Sequence, residues 1–114
     1  MKFIELKTPD EVGEILWTAT REWNYVFLDT ETTGLHRHND RILAITFTSG
    51  KDDTAYFTGG ENAPLFQTLQ DCALVLHNFK FDFHMFANAG VDLRKCGPVL
   101  DTCLLYTSPS PRDA

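Results

Sequence analysis

In Val26-Phe27-Leu28-Asp29-Thr30-Glu31-Thr32-Thr33-Gly34 an apolar run gives way to acids, hydroxyls and a glycine. Tyr25 to Leu28 form a continuous apolar run bounded by polar residues, the pattern of a strand buried on both faces. The run ends in two acids spaced two apart. Side chains of an extended chain alternate, so Asp29 and Glu31 project to the same side and their carboxylates crowd each other. Like charges that close are unfavourable unless a cation sits between them or one of them takes up a proton. Hard divalent ions such as Mg²⁺ or Mn²⁺ take oxygen ligands of this kind. The plainer alternative is a solvated turn, since Thr32, Thr33 and Gly34 follow.

Outward from this stretch, Lys2 to Leu6 alternates polar and apolar residues as a short strand does. Thr8-Pro9-Asp10-Glu11 then combines capping-box spacing with proline at the first helical position, which predicts a helix from about Pro9 to near Asn24. Val12, Ile15, Leu16, Ala19 and Trp23 recur at spacings of three and four and give that helix one apolar stripe to lay on a sheet. Strands are predicted over 42–48 and 54–57, joined as a hairpin by the polar residues 49–53. Gly59-Gly60 breaks the pattern, residues 64–69 read as a short helix, and Ala73 to Leu76 as another buried strand. Asn78 can cap a helix that runs to about Ala89 and stops at Gly90. The order is strand, helix, three strands, helix, strand, helix, which predicts an α/β fold with a sheet of mixed direction.

His77-Asn78-Phe79-Lys80-Phe81-Asp82-Phe83 gives the two acids a partner. Asn78 and Asp82 are four apart and share one face of the helix they open. If strand 73–76 lies beside strand 25–28, Asp82 meets Asp29 and Glu31 across a groove and three carboxylates converge.

The composition fits an ordinary folded domain: 114 residues, 43% hydrophobic and 23% charged. The formal net charge of -6 is the wrong sign for a protein that grips nucleic acid through a basic surface, so a polyanion has to be held locally or through metal ions. Cys72, Cys96 and Cys103 form no CxxC pair, which argues for reduced thiols and a cytoplasmic location rather than a disulfide framework or structural zinc. No apolar run approaches the roughly 20 residues of a membrane span, and the N-terminus carries no signal-peptide pattern.

Asp29-Thr30-Glu31-Thr32-Thr33-Gly34-Leu35 together with His77-Asn78-Phe79-Lys80-Phe81-Asp82 resembles the first and second motifs of the DEDD 3'–5' exonucleases. The similarity is greatest to the proofreading domain of family A (polymerase I type) DNA polymerases. It extends over about residues 1–102 and includes the Asp101-Thr102 pair that such domains carry after the second motif. The resemblance implies a ribonuclease H-like fold and hydrolysis of single-stranded DNA 3' ends with two divalent ions, Mg²⁺ or Mn²⁺. It also implies a polymerase domain as partner in the intact protein. By position, Asp29 would bridge both metals, Glu31 would ligate one and help place the attacking water, and Asp82 would hold the second. Asn78 would steady the site, Leu35 would pack against the terminal base, and the Thr32 backbone would contact the 3' nucleotide.

The family's third motif sets a tyrosine or histidine four residues before a final aspartate. Here Tyr106 is followed four residues later by Ser110. Residues 1–102 are therefore read as the N-terminal part of an exonuclease domain, with little or no activity of its own. Residues 103–114 form a tail in which CLLYTSPSPRD resembles the conceptual translation of a sequencing adapter. Ribonuclease D and its relatives share both motifs, so RNA is the alternative substrate, and a non-catalytic scaffold of the same fold is another. A haloacid-dehalogenase-like phosphatase would need aspartate at Glu31 and would leave Asp82 unexplained.

Several other residues have plainer readings. Phe79, Phe83 and Phe86 recur at helical spacing and read as core, and His36 and His38 as a solvated loop. Asp101 reads as the cap of a following helix.

Overall fold

The computed structural model describes residues 1–34, 40–49 and 53–102. Within these residues six strands and two α-helices run in the order β1 (Lys2–Glu5), α1 (Pro9–Glu22), β2 (Tyr25–Thr32), β3 (Ile42–Thr48), β4 (Thr54–Gly59), β5 (Ala73–Leu76), α2 (Phe79–Asn88) and β6 (Val99–Asp101). Two 3-10 segments complete the path, Gly60–Thr68 before β5 and Leu93–Lys95 before β6. The strands form one sheet in the order β1-β4-β3-β2-β5-β6. β3 runs antiparallel to its neighbours β2 and β4, while the β1–β4, β2–β5 and β5–β6 pairs are parallel. This is the mixed α/β sheet of the ribonuclease H-like expectation.

Local chemistry sets the first helix. The Thr8 hydroxyl accepts from the Glu11 N–H at 3.2 Å, the Glu11 carboxylate accepts from the Thr8 N–H at 3.0 Å, and Pro9 occupies the first turn. The two bonds satisfy N–H groups that the helix itself leaves without partners. α1 ends at Glu22, with Trp23 as its C-cap, slightly short of the expected Asn24. Its stripe behaves as expected: Val12, Leu16 and Ala19 are buried and Ile15 and Trp23 pack against the core.

Phe66 is fully buried and joins the layers, with ring centroids 5.2 Å from Phe47 of β3 and 5.7 Å from Phe86 of α2. Gly60 is required by close approach: a Cβ there would overlap the Ile42 carbonyl. The helix predicted over 64–69 is instead the nine-residue 3-10 segment, in which Pro64 has no N–H to donate. β6 was not anticipated; three residues are too few to carry a periodic signal.

The reading of β2 needs correction. The strand continues through both acids to Thr32, and only one face is buried: Val26 and Leu28 lie in the core, while Phe27 is 40% exposed. The buried side chains of α1, the 3-10 segment and α2 join one core cluster with Val26, Leu28, Ile45, Phe47 and Leu74. On the other face Tyr25, Phe27 and Leu100 are exposed. Tyr25 and Phe27 meet edge to face at 5.3 Å.

Candidate active site

β2 and β5 lie side by side and parallel, with Tyr25 paired to Ala73 and Phe27 to Val75. Carried on by two residues, this register sets His77 level with Asp29. An open groove of about 420 Å³ forms there, lined by Phe27, Asp29, Thr46, Val75, His77 and Thr102 among others. Asp29 and Glu31 are both exposed on this face of β2.

Asp82 reaches the same end of β2 from the opposite face. It is buried, at 4% exposure, in the first turn of α2, and its Oδ1 accepts a 2.7 Å hydrogen bond from the Thr30 hydroxyl. Thr30 lies between the two acids on β2, so its side chain points to the helix-covered side. The expected meeting across one groove therefore becomes an approach from two sides of a single strand. Burial pushes the Asp82 carboxyl up to about 6; the Thr30 hydrogen bond opposes the shift, the nearby Asp29 and Asp101 charges add to it, and His77 opposes it.

The turn after β2 is tied by its hydroxyls. Thr32 Oγ1 donates to the Gly34 carbonyl at 2.6 Å, and Thr33 Oγ1 donates to Asp40 Oδ1 at 2.7 Å. A Cβ on Gly34 would sit 2.6 Å from Asp40 Oδ2, so a larger residue there would make the Asp40 side chain shift. Leu35, expected to pack against a terminal base, lies outside the described residues, as do His36, His38 and the tail from Cys103.

The cap expected of Asn78 at the start of α2 is not made. Asn78 has φ 68 and ψ 63, in the left-handed region, and its side chain makes no capping hydrogen bond. Asparagine is among the few non-glycine residues that tolerate this backbone. The cap comes from Asp101: its Oδ1 accepts from the Asn78 N–H at 3.0 Å and its Oδ2 from the Phe79 N–H at 2.7 Å, while the following helix it was expected to cap lies outside the described residues. Beside it, His77 Nδ1 and Thr102 Oγ1 are 3.0 Å apart. Thr30 and this use of Asp101 were missed by sequence reasoning; both depend on contacts more than 20 residues apart, for which no local pattern exists. His77, Asn78 and Lys80 are exposed, and the ring of Phe79 packs against the core.

The donors fit a hard divalent ion: every candidate ligand atom is a carboxylate oxygen, two are open to solvent, and the third is buried beside like charges. Among the described residues no group of three His, Cys, Asp or Glu side chains is drawn close enough to hold a metal ion.

Residues 5–104 match the family model described as 3'–5' exonuclease. The chain belongs to this 3'–5' exonuclease family. Comparison with the curated protein sequences gives no match. Among solved structures, Brucella melitensis NrnC with bound Mg²⁺ is 25% identical, with TM-score 0.63, over 89% of this chain and 49% of that one. The same protein bound to pGG is 28% identical, with TM-score 0.63, over 89% and 48%. Escherichia coli RNase D shares the fold at 21% identity, with TM-score 0.69, over 90% of this chain and 28% of that one. The chain thus spans about half the length of NrnC, and the exonuclease family's fold is present from β1 to β6.

Proposed function

We propose that this chain is the N-terminal part of a proofreading-type exonuclease domain that removes nucleotides from single-stranded DNA 3' ends. The observation that carries the reading is the Thr30–Asp82 hydrogen bond, which ties the acid-bearing end of β2 to the helix of the second motif. Asp29, Glu31 and Asp82 would hold two divalent ions, Mg²⁺ or Mn²⁺. When bound, such ions supply a water of lowered pKa and charge stabilisation for the leaving oxygen. The chain's own residues set the geometry: β2 aims Asp29 and Glu31 together into solvent, Thr30 anchors Asp82 from below, and Asn78 stands exposed at the mouth of α2. The Thr32 backbone and Leu35 would meet the terminal nucleotide. A polymerase domain is the partner expected in the intact protein, and the buried free thiols Cys72 and Cys96 suit a cytoplasmic setting.

A second reading is an RNA or short-oligonucleotide substrate, favoured by the NrnC structure bound to pGG. The test uses DNA and RNA of one sequence, labelled so that 3' trimming is read directly, with Mn²⁺. Slow trimming of DNA that disappears in Asp29→Ala is the expected result, slow because residues 83–114 contain no third motif. Preference for RNA would establish the second reading, and trimming that survives Asp29→Ala would place the chemistry elsewhere.

A further inference from the structure

We propose that Asp101 is a positioning residue for Asp82, acting through the backbone of α2; the inference rests on Asp82 being a metal ligand as proposed above. β6 pairs with β5 so that Asp101 stands opposite Leu76, whose side chain is buried beneath the helices. The Asp101 carboxylate is thereby turned to the side of the sheet on which α2 begins. Both oxygens are engaged there, one with the Asn78 N–H and one with the Phe79 N–H.

The leading N–H groups of α2 are not capped by its own residues. The first backbone bond of the helix, from the Asp82 N–H to the Asn78 carbonyl, is long at 3.4 Å. Asn78 itself is left-handed and gives no side-chain cap. A carboxylate bridging the two leading N–H groups supplies charge-assisted bonds at the positive end of the helix dipole. It fixes the peptide planes from which Asp82 is hung, one turn later. Thr102 extends the clasp, since its hydroxyl lies 3.0 Å from His77 Nδ1 and 3.4 Å from the Leu76 carbonyl. Strand β6 thus reaches across β5 and sets the angle at which α2 presents its carboxylate to Thr30. Each Asp101 oxygen thus accepts one of the two leading amides of α2.

Residues that orient a ligand typically change metal affinity about 10- to 100-fold when replaced. Asp101→Asn keeps the size but can accept only one of the two N–H bonds. Mn²⁺ binding to the full chain, followed by calorimetry, is expected to weaken at least about tenfold in Asp101→Asn. A destabilising core variant on the other helix, Val12→Ala in α1, is expected to bind as the parent does. Amide exchange at Asn78 and Phe79 should accelerate in Asp101→Asn while the amides of β2 keep their protection. Binding by Asp101→Asn within twofold of the parent would overturn the positioning role. If Asp101→Asn does not fold, Asp101→Ser, which keeps one acceptor, is measured instead. Faster exchange confined to the start of α2 then supports the proposal, and unchanged exchange overturns it. If the parent's Mn²⁺ binding survives Asp29→Ala and Asp82→Ala, it is the metal-site reading that fails, and the exchange data still report on the clasp.

Discussion

Along β2 the side chains of Val26, Leu28 and Thr30 enter the core beneath the helices, whereas those of Tyr25, Phe27, Asp29 and Glu31, one step out of phase, meet solvent. One strand thus serves two environments. On the covered side its neighbours are Phe47, Phe66 and Leu74, all buried, and the polar atoms that enter are paired: Thr30 with Asp82, and on β4 Thr58 with the Leu6 carbonyl and Asn62. On the open side the two acids stand where water or a cation can solvate them, beside aromatic rings that no helix of the described residues covers. Stability resides on one face and the candidate chemistry on the other. Asp82 is the exception, since a proposed ligand is housed in the stabilising layer.

The largest way to break this contrast is Phe66→Ala. It empties the junction of the sheet with α2 and is expected to cost about 3–5 kcal/mol, read from denaturant unfolding. The pH dependence of the metal-free chain comes next. Asp82 holds its proton more tightly folded than unfolded, since its carboxyl is raised to about 6. Its contribution is therefore greatest below about pH 4, is lost as pH rises through 6, and is flat above. The expected fall is on the order of 2 kcal/mol, seen as a declining melting temperature in EDTA, and Asp82→Asn should remove it. A melting temperature that rises from pH 4 to 6 on Asp82's account would contradict its placement.

Thr30→Val keeps the strand and its shape but takes the donor from a buried carboxylate. A loss of about 1–3 kcal/mol is expected, together with weaker Mn²⁺ binding, and a fully neutral outcome would mean that Asp82 does not depend on β2. Smallest is Phe27→Ser on the open face, expected to stay within about 0.5 kcal/mol. A cost comparable with that of Phe66→Ala would show that the open face is packed against something in solution.

Much of the architecture was legible in residues close together in sequence. The capping box of Thr8 and Glu11, the stripe of α1, the alternation that puts Asp29 and Glu31 on one side, and the Gly90 stop, where φ is 87, each depend on a few neighbouring residues. The apolar run Tyr25 to Leu28 misled because a strand covered on both faces and a strand with an exposed aromatic edge share the same composition. Asn78 misled because its residue type suits a helix cap and the left-handed region equally; the choice between them fell to Asp101, 23 residues away.

The periodicities, and with them the elements, the two acid-bearing motifs and their order, are written in residues close together in the chain, and the membership of the exonuclease family follows from them. It takes the closed fold to bring Asp82 up under β2 to Thr30 while Asp29 and Glu31 face out, and to set Asp101 at the start of α2. Alternation and helical spacing act over a few residues and are written locally. Which strand lies beside which, and which carboxylate a given N–H finds, follows from sheet order and register, and those are fixed only when the core closes.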